Sequence, residues 1–198
     1  MRVETITRKL FTFDELTERA KEKARDWYRS GLEFYDELVI DDVKEALEKI
    51  GFDSVEIGFS GFCSQGDGAH FTGNYLYKKG ALAVVKKEYP QWGELHSLAK
   101  ELQALERKHF YSIRFSIEHS GRYSHENCTI FDFEDIRNNH RYTNPDFLEQ
   151  PFKDCCRSFM RDIYSLLEND YNYQNSDSAV DEIILSNGYE FSESGDII

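Results

Sequence analysis

Two stretches of the chain collect side chains able to hold or process a ligand. The first, residues 60–73, reads Ser-Gly-Phe-Cys-Ser-Gln-Gly-Asp-Gly-Ala-His-Phe-Thr-Gly. Gly66 and Gly68 allow backbone N–H groups to approach an anion or a planar molecule closely. Ser60, Ser64, Gln65, Asp67 and His70 add donors and acceptors, and Phe59, Phe62 and Phe71 offer aromatic faces. A simple hairpin connection, with Asp67 capping its own turn, accounts for the same residues. A polar loop of about nine residues is longer than a hairpin requires, which favours ligand contact.

The second stretch is His119-Ser120-Gly121-Arg122-Tyr123-Ser124-His125-Glu126. Arg122 is suited to clamping a phosphate or carboxylate, Tyr123 to stacking, and His119 and His125 to sharing protons. A solvent-facing turn explains these residues equally well when they are taken alone. The two stretches gain weight together if their strands are neighbours, because both loops then open on one rim. An alternative chemistry is hydrolysis, with His119 or His125 as general base and Asp67 as its carboxylate partner. No motif names a nucleophile, so a binding protein is expected ahead of an enzyme.

Sharper motifs are missing. Neither G-x-x-x-x-G-K-[ST] nor G-x-G-x-x-G occurs, and Gly58-Phe59-Ser60-Gly61 lacks the spacing of a serine elbow. His119 and His125 lack a third partner for zinc, so no metal or cofactor is expected. Asp170, Asn172, Gln174, Ser176, Ser178 and Asp181 are spaced like a calcium loop, but Asn175 stands where glycine is needed. Cys63 is expected to be a small buried thiol rather than a nucleophile.

The elements that must position these loops follow from periodicity. Thr12 and Glu15 have capping-box spacing ahead of Leu16, Ala20, Ala24, Trp27 and Tyr28, with Gly31 as the stop. A second helix runs from Leu38 to Ile50 and ends at Gly51. Val55, Ile57 and Phe59 alternate as a strand, and Phe71 to Tyr77 resumes the alternation. Helical patterns cover Ala81 to Tyr89 and Trp92 to Leu105. Tyr111, Ile113, Phe115 and Ile117 mark the clearest strand, partnered by Thr129 to Phe133. Asn144-Pro145 reads as a helix start before Phe152 to Leu167. A polar stretch, Asn169 to Asp177, then precedes a short helix and a terminal hairpin of Tyr189–Phe191 with Gly195–Ile197.

This order predicts an α+β fold, with an antiparallel sheet of about four strands packed against helices. One domain is expected over 1–198, its main body at 1–168 and a helix-hairpin appendage at 169–198.

Composition narrows the partners. The 198 residues carry 24 Lys and Arg against 37 Asp and Glu, a net charge of −13. Such a surface repels phosphate backbones and anionic membranes, so direct nucleic-acid binding is not expected. No apolar stretch approaches the ~20 residues of a membrane span. Met1 to Thr5 lacks the apolar run of a signal peptide, and the four cysteines form no disulfide framework, so a reducing cytoplasm is expected.

Three segments together resemble a family of uncharacterised tailed-bacteriophage proteins, often labelled automatically as an antitoxin of a toxin–antitoxin stability system. They are Phe13 to Arg29, Phe59 to Ala69, and the tail from Ser176 through Val180, Glu182, Asn187, Tyr189, Phe191 and Gly195. The resemblance implies work inside a bacterial host, in host interaction or counter-defence. With the two loops, it suggests a binding protein that sequesters a small anionic or nucleotide-like ligand. The competing class is an acidic, antitoxin-like inhibitor or DNA mimic that docks on a basic host protein. A homo-oligomer is compatible with either.

Overall fold

The computed structural model describes residues 1, 2, 7–137, 140, 141 and 146–198. The expected helix start at Asn144-Pro145 lies outside the described residues. The fold is α+β, as expected, with an antiparallel sheet as its main β element. It divides into two compact units, one of residues 36–168 and one built from both chain ends, 1–35 and 169–198. The C-terminal segment from Asn169 therefore shares a unit with the first 35 residues.

In the larger unit, α2 (Glu37–Ile50) leads through Gly51 into the sheet. Gly51 takes φ 111°, the left-handed conformation that ends a helix without a Cβ penalty. The strands are β2 (Phe52–Phe59), β3 (Ala69–Leu76), β4 (Ile113–His119), β5 (Thr129–Asp135) and a short β6 (His140–Arg141), hydrogen-bonded in that order. Between β3 and β4 lie α3 (Ala81–Glu88) and α4 (Gly93–Lys108). β4 shows the period-two pattern plainly: Ile113, Phe115 and Ile117 are buried while Arg114 and Glu118 are exposed. Phe115 sits among Phe52, Tyr75, Phe131, Phe133 and Phe152, with ring centroids 4.7–6.0 Å away. Phe152 belongs to α5 (Asp146–Gln174), whose Phe159 also meets Trp92.

In the unit of chain ends, β1 (Phe11–Thr12) pairs with β7 (Glu190–Phe191), while α1 (Glu18–Ser30) packs on α6 (Asp177–Asn187). Phe13, Leu16, Ala20, Ala24, Val180, Ile184 and Phe191 form its core. The terminal hairpin is present as a bridge between Phe191 and Ile197.

Three local expectations are corrected. The Thr12 backbone N–H donates to Glu15 Oε2 (2.8 Å), but this box closes only the 3-10 turn Phe13–Glu15. Leu16 is extended, so α1 begins anew with Thr17 Oγ1 accepting from Ala20 N–H (3.4 Å). That break lets both Phe13 and Leu16 enter the core. Tyr111 is not in a strand: Phe110 and Tyr111 take φ 56° and 60° and turn the chain from α4 into β4. The polar stretch from Asn169 is helical as far as Gln174, since α5 continues through it with Gln174 Nε2 donating to Asp170 Oδ2 one turn back (2.8 Å). With Asp170, Asn172 and Gln174 on a helix, the calcium-loop spacing closes around no ion.

Candidate functional site

The sheet order brings the two loops together. β3 lies between β2 and β4, and all three run antiparallel, so the β2–β3 loop (60–68) and the β4–β5 loop (120–128) emerge at the same end. A Cβ on Gly68 would lie 3.0 Å from His125 Cδ2 and 3.1 Å from the Ser124 carbonyl oxygen. The loops therefore touch, and only glycine permits so close an approach.

His70 anchors the rim. It pairs across the sheet with Gly58, and a Cβ there would lie 2.5 Å from His70 Cε1. His70 is 7% exposed, its Nδ1 has no hydrogen-bond partner among the described residues, and its ring stacks on His119 at 4.2 Å and 15°. Burial, helped by neighbouring His119, holds the His70 imidazole down at about 4, so it is neutral at pH 7. His119 is exposed and its Nε2–H donates to the Tyr123 carbonyl (3.1 Å). Replacing Gly58 with alanine should push the His70 ring from its slot while leaving the backbone in place. His70 should then titrate nearer 6.5 in an NMR pH series; an unchanged value near 4 would show that Gly58 does not set this pocket.

The remaining loop residues divide between scaffold and surface. Ser60 Oγ accepts from Gly68 N–H (3.0 Å), and Ser60 N–H donates to the Gly68 carbonyl (3.0 Å), closing the first loop. Asp67 Oδ2 accepts from Cys63 N–H (2.9 Å) and Ser64 N–H (2.6 Å). Asp67 thus caps its own turn, and no hydrogen bond or ion pair joins it to His119 or His125. The Asp67–histidine dyad is not formed. Cys63, expected to be buried, is exposed because this turn carries it outward. Ser64, Gln65 and Gly66, with φ 95° at the tip, face solvent.

The three phenylalanines are also occupied. Phe71 is fully buried against Phe52, and Phe59 stacks on Phe62, which packs on Tyr164 of α5 (5.5 Å). They hold the loop to the scaffold. The aromatic faces open to a ligand are those of His119 and Tyr123, the latter 58% exposed. Arg122 is exposed and forms no hydrogen bond or ion pair with a described residue.

The carboxylate that does meet a histidine is Glu126. His125 Nδ1 lies 2.9 Å from Glu126 Oε2 and 3.1 Å from Asn127 N. With a proton on Nδ1 it donates to the carboxylate; without one it accepts from Asn127 N–H, so the two contacts alternate. Glu126 is 7% exposed, and its Oε1 lies 3.4 Å from Arg161 Nη1 on α5. Sequence reasoning missed Glu126, Arg161 and Gly58. Glu126 stood beside His125 in plain view, but a turn's spacing does not reveal which side chain points inward. Among the described residues no three His, Cys, Asp or Glu side chains converge as a metal site. No described helix is long and apolar enough to cross a membrane.

No curated protein and no solved structure matches the chain. A family model does match residues 34–177, which take in the entire larger unit, the sheet and both loops. This covers more than half of the 198 residues, and the chain belongs to that family, described as a domain of unknown function (DUF8835).

Proposed function

We propose that the protein is a binding protein whose two-loop rim takes a small, planar, anionic ligand of nucleotide type. The observation that carries this is the meeting of the loops: stacked His70 and His119 share one end of the sheet with Arg122, a cation without a partner among the described residues. A base stacks on the outer face of His119 or on Tyr123, and Arg122 takes the phosphate. Movement of the His119 ring uncovers His70, whose neutral imidazole offers hydrogen bonding to the base without bringing a second charge. The phage-family resemblance supports a role in counter-defence, sequestering a nucleotide inside the infected cell.

The test is thermal shift with ATP, GTP and cyclic AMP. A nucleotide at 100 times its Kd stabilises by about 2.7 kcal/mol, which raises Tm by roughly 5 °C or more in a chain of this size. Arg122→Ala and His119→Ala should each remove the shift. No shift with any nucleotide, or a shift that survives Arg122→Ala, would overturn the proposal.

A further inference from the structure

The chain is acidic, but not evenly so. Residues 78–108 carry seven Lys and Arg against four Glu, a local charge of +3 in a chain of −13. Two of those four glutamates are already engaged: Glu88 pairs with Lys49 (3.2 Å), and Glu106 is fully buried. Three of these cations line a groove of about 540 Å³, formed by Leu82 of α3 and by Lys100, Gln103, Ala104, Arg107 and Lys108 of α4. Lys100, Arg107 and Lys108 are exposed, and none of their side chains forms an ion pair or hydrogen bond with a described residue. Placing three cations along one helix face costs mutual repulsion, which an anionic occupant would relieve. From Lys100 to Lys108 the stripe rises about 12 Å, roughly two phosphate-to-phosphate steps of an extended strand and so the reach of three phosphates.

A neighbouring cavity that shares two lining residues with the groove leads to aromatic rings. Leu82 and Gln103 also line a small cavity with Tyr77, whose ring lies 4.6 Å from that of Tyr111. Tyr111 is 46% exposed and Phe110 68% exposed, at consecutive left-handed backbone positions just past the end of α4. Bulky residues seldom adopt that conformation, and such strain gathers where side chains must be presented. The turn is pinned by Tyr111 N–H donating to the Glu106 carbonyl (2.7 Å) and by Arg137 Nη2 donating to the Phe110 carbonyl (2.7 Å).

From this placement we propose that the α3–α4 groove binds a short single-stranded nucleic acid, with phosphates along Lys100, Arg107 and Lys108 and a base against Tyr111. Cations in file beside exposed rings are the arrangement that tracks a single strand without reading its sequence. An acidic peptide would satisfy the cations but leave the rings without a purpose. The uniform −13 picture, which argued against nucleic acid, averages over a patch of opposite sign. This site is separate from the two-loop rim.

The test is fluorescence anisotropy of a labelled ten-residue oligothymidylate with the full chain. Three phosphate contacts predict a log–log salt slope of about −2, a roughly 20-fold weakening between 50 and 200 mM salt. Joint substitution Lys100→Gln, Arg107→Gln and Lys108→Gln, all on an exposed helix face and checked for folding by circular dichroism, should flatten that slope. Tyr111→Ala should weaken binding roughly tenfold and leave the slope alone. Arg122→Ala should change neither, which separates this site from the rim. Lack of binding at 50 mM salt, an unchanged slope in the folded triple variant, or equal affinity for polyglutamate of the same length would overturn the proposal.

Discussion

Glu106→Gln should change the pH dependence of stability by about 3 kcal/mol between pH 4.5 and 7.5. Glu106 is fully buried, its Oε2 accepts from Ile113 N–H (3.4 Å), and its Oε1 has no partner among the described residues. Burial raises its carboxyl to about 7, against a small opposing pull from the Ile113 N–H. Between pH 4.5 and 7 the unfolded chain has released this proton while the fold retains it. Stability therefore falls as pH rises, by about 1.4 kcal/mol per pH unit at most, and levels off above 7.

His70 acts with the opposite sign. Its folded value near 4 means that from 6.5 down to 4 the unfolded chain takes up a proton that the fold refuses. That contribution is present above 6.5 and lost as pH falls. The two windows overlap between 4.5 and 6.5, where the contributions nearly cancel. Glu106→Gln should uncover the histidine term, giving a stability that rises with pH up to about 6.5 and then holds. His70→Asn should uncover the falling glutamate term. Urea denaturation followed by Trp92 fluorescence, in a Trp27→Phe background, reads the unit that holds both groups. A difference between Glu106→Gln and the parent that stays flat across this pH range would show that the buried group is not a titrating carboxylate.

The loops and strands that frame the candidate site were legible in the sequence because period-two alternation is imposed by burial of one sheet face. Val55 to Phe59, Phe71 to Tyr75 and Ile113 to Ile117 all show it. What alternation does not carry is the destination of a side chain at a strand end. His70 and Phe71 are adjacent, yet one lies in a rim slot opposite Gly58 and the other in the core against Phe52. Asp67 looked equally suited to a turn cap or a histidine partner; two loop N–H groups at 2.6 and 2.9 Å decide for the cap.

Glu126 was overlooked for a related reason. Its importance comes from Arg161, 35 residues away on a helix whose packing no local pattern reports. The continuation of α5 through Asn169–Gln174 was hidden by polarity, since Asn, Asp and Gln signal loops until tertiary packing overrides their propensity. The meeting of α1 with the C-terminal segment was likewise illegible. Its ion pairs join residues about 150 positions apart, and charge alternation along a helix does not name its partner.

Those ion pairs set the other large effect. Arg25 Nε and Nη2 donate to Asp181 Oδ1 and Oδ2 at 2.7 and 2.8 Å, a side-on fork joining α1 to α6. The Arg25 side chain is only 12% exposed, so water screens this pair poorly. Arg25 also reaches Glu22 (3.1 Å) and lies over the Phe13 ring (5.7 Å), while Arg29 pairs with Asp177. Removal of Arg25 leaves Asp181 half-buried without its partner, and leaves Arg29 to face Glu22, Asp26 and Asp177. Arg25→Ala should therefore cost about 3 kcal/mol, the lower part of the range for breaking a buried pair. Trp27 packs beside Tyr189 and Phe191 in the same unit, so urea denaturation of a Trp92→Phe background reads the loss directly. Arg25→Met with Asp181→Leu should recover all but about 1 kcal/mol, because no unpaired charge remains to be desolvated. A cost below about 1 kcal/mol for Arg25→Ala would mean that aromatic packing around Phe13 and Phe191 joins the chain ends by itself.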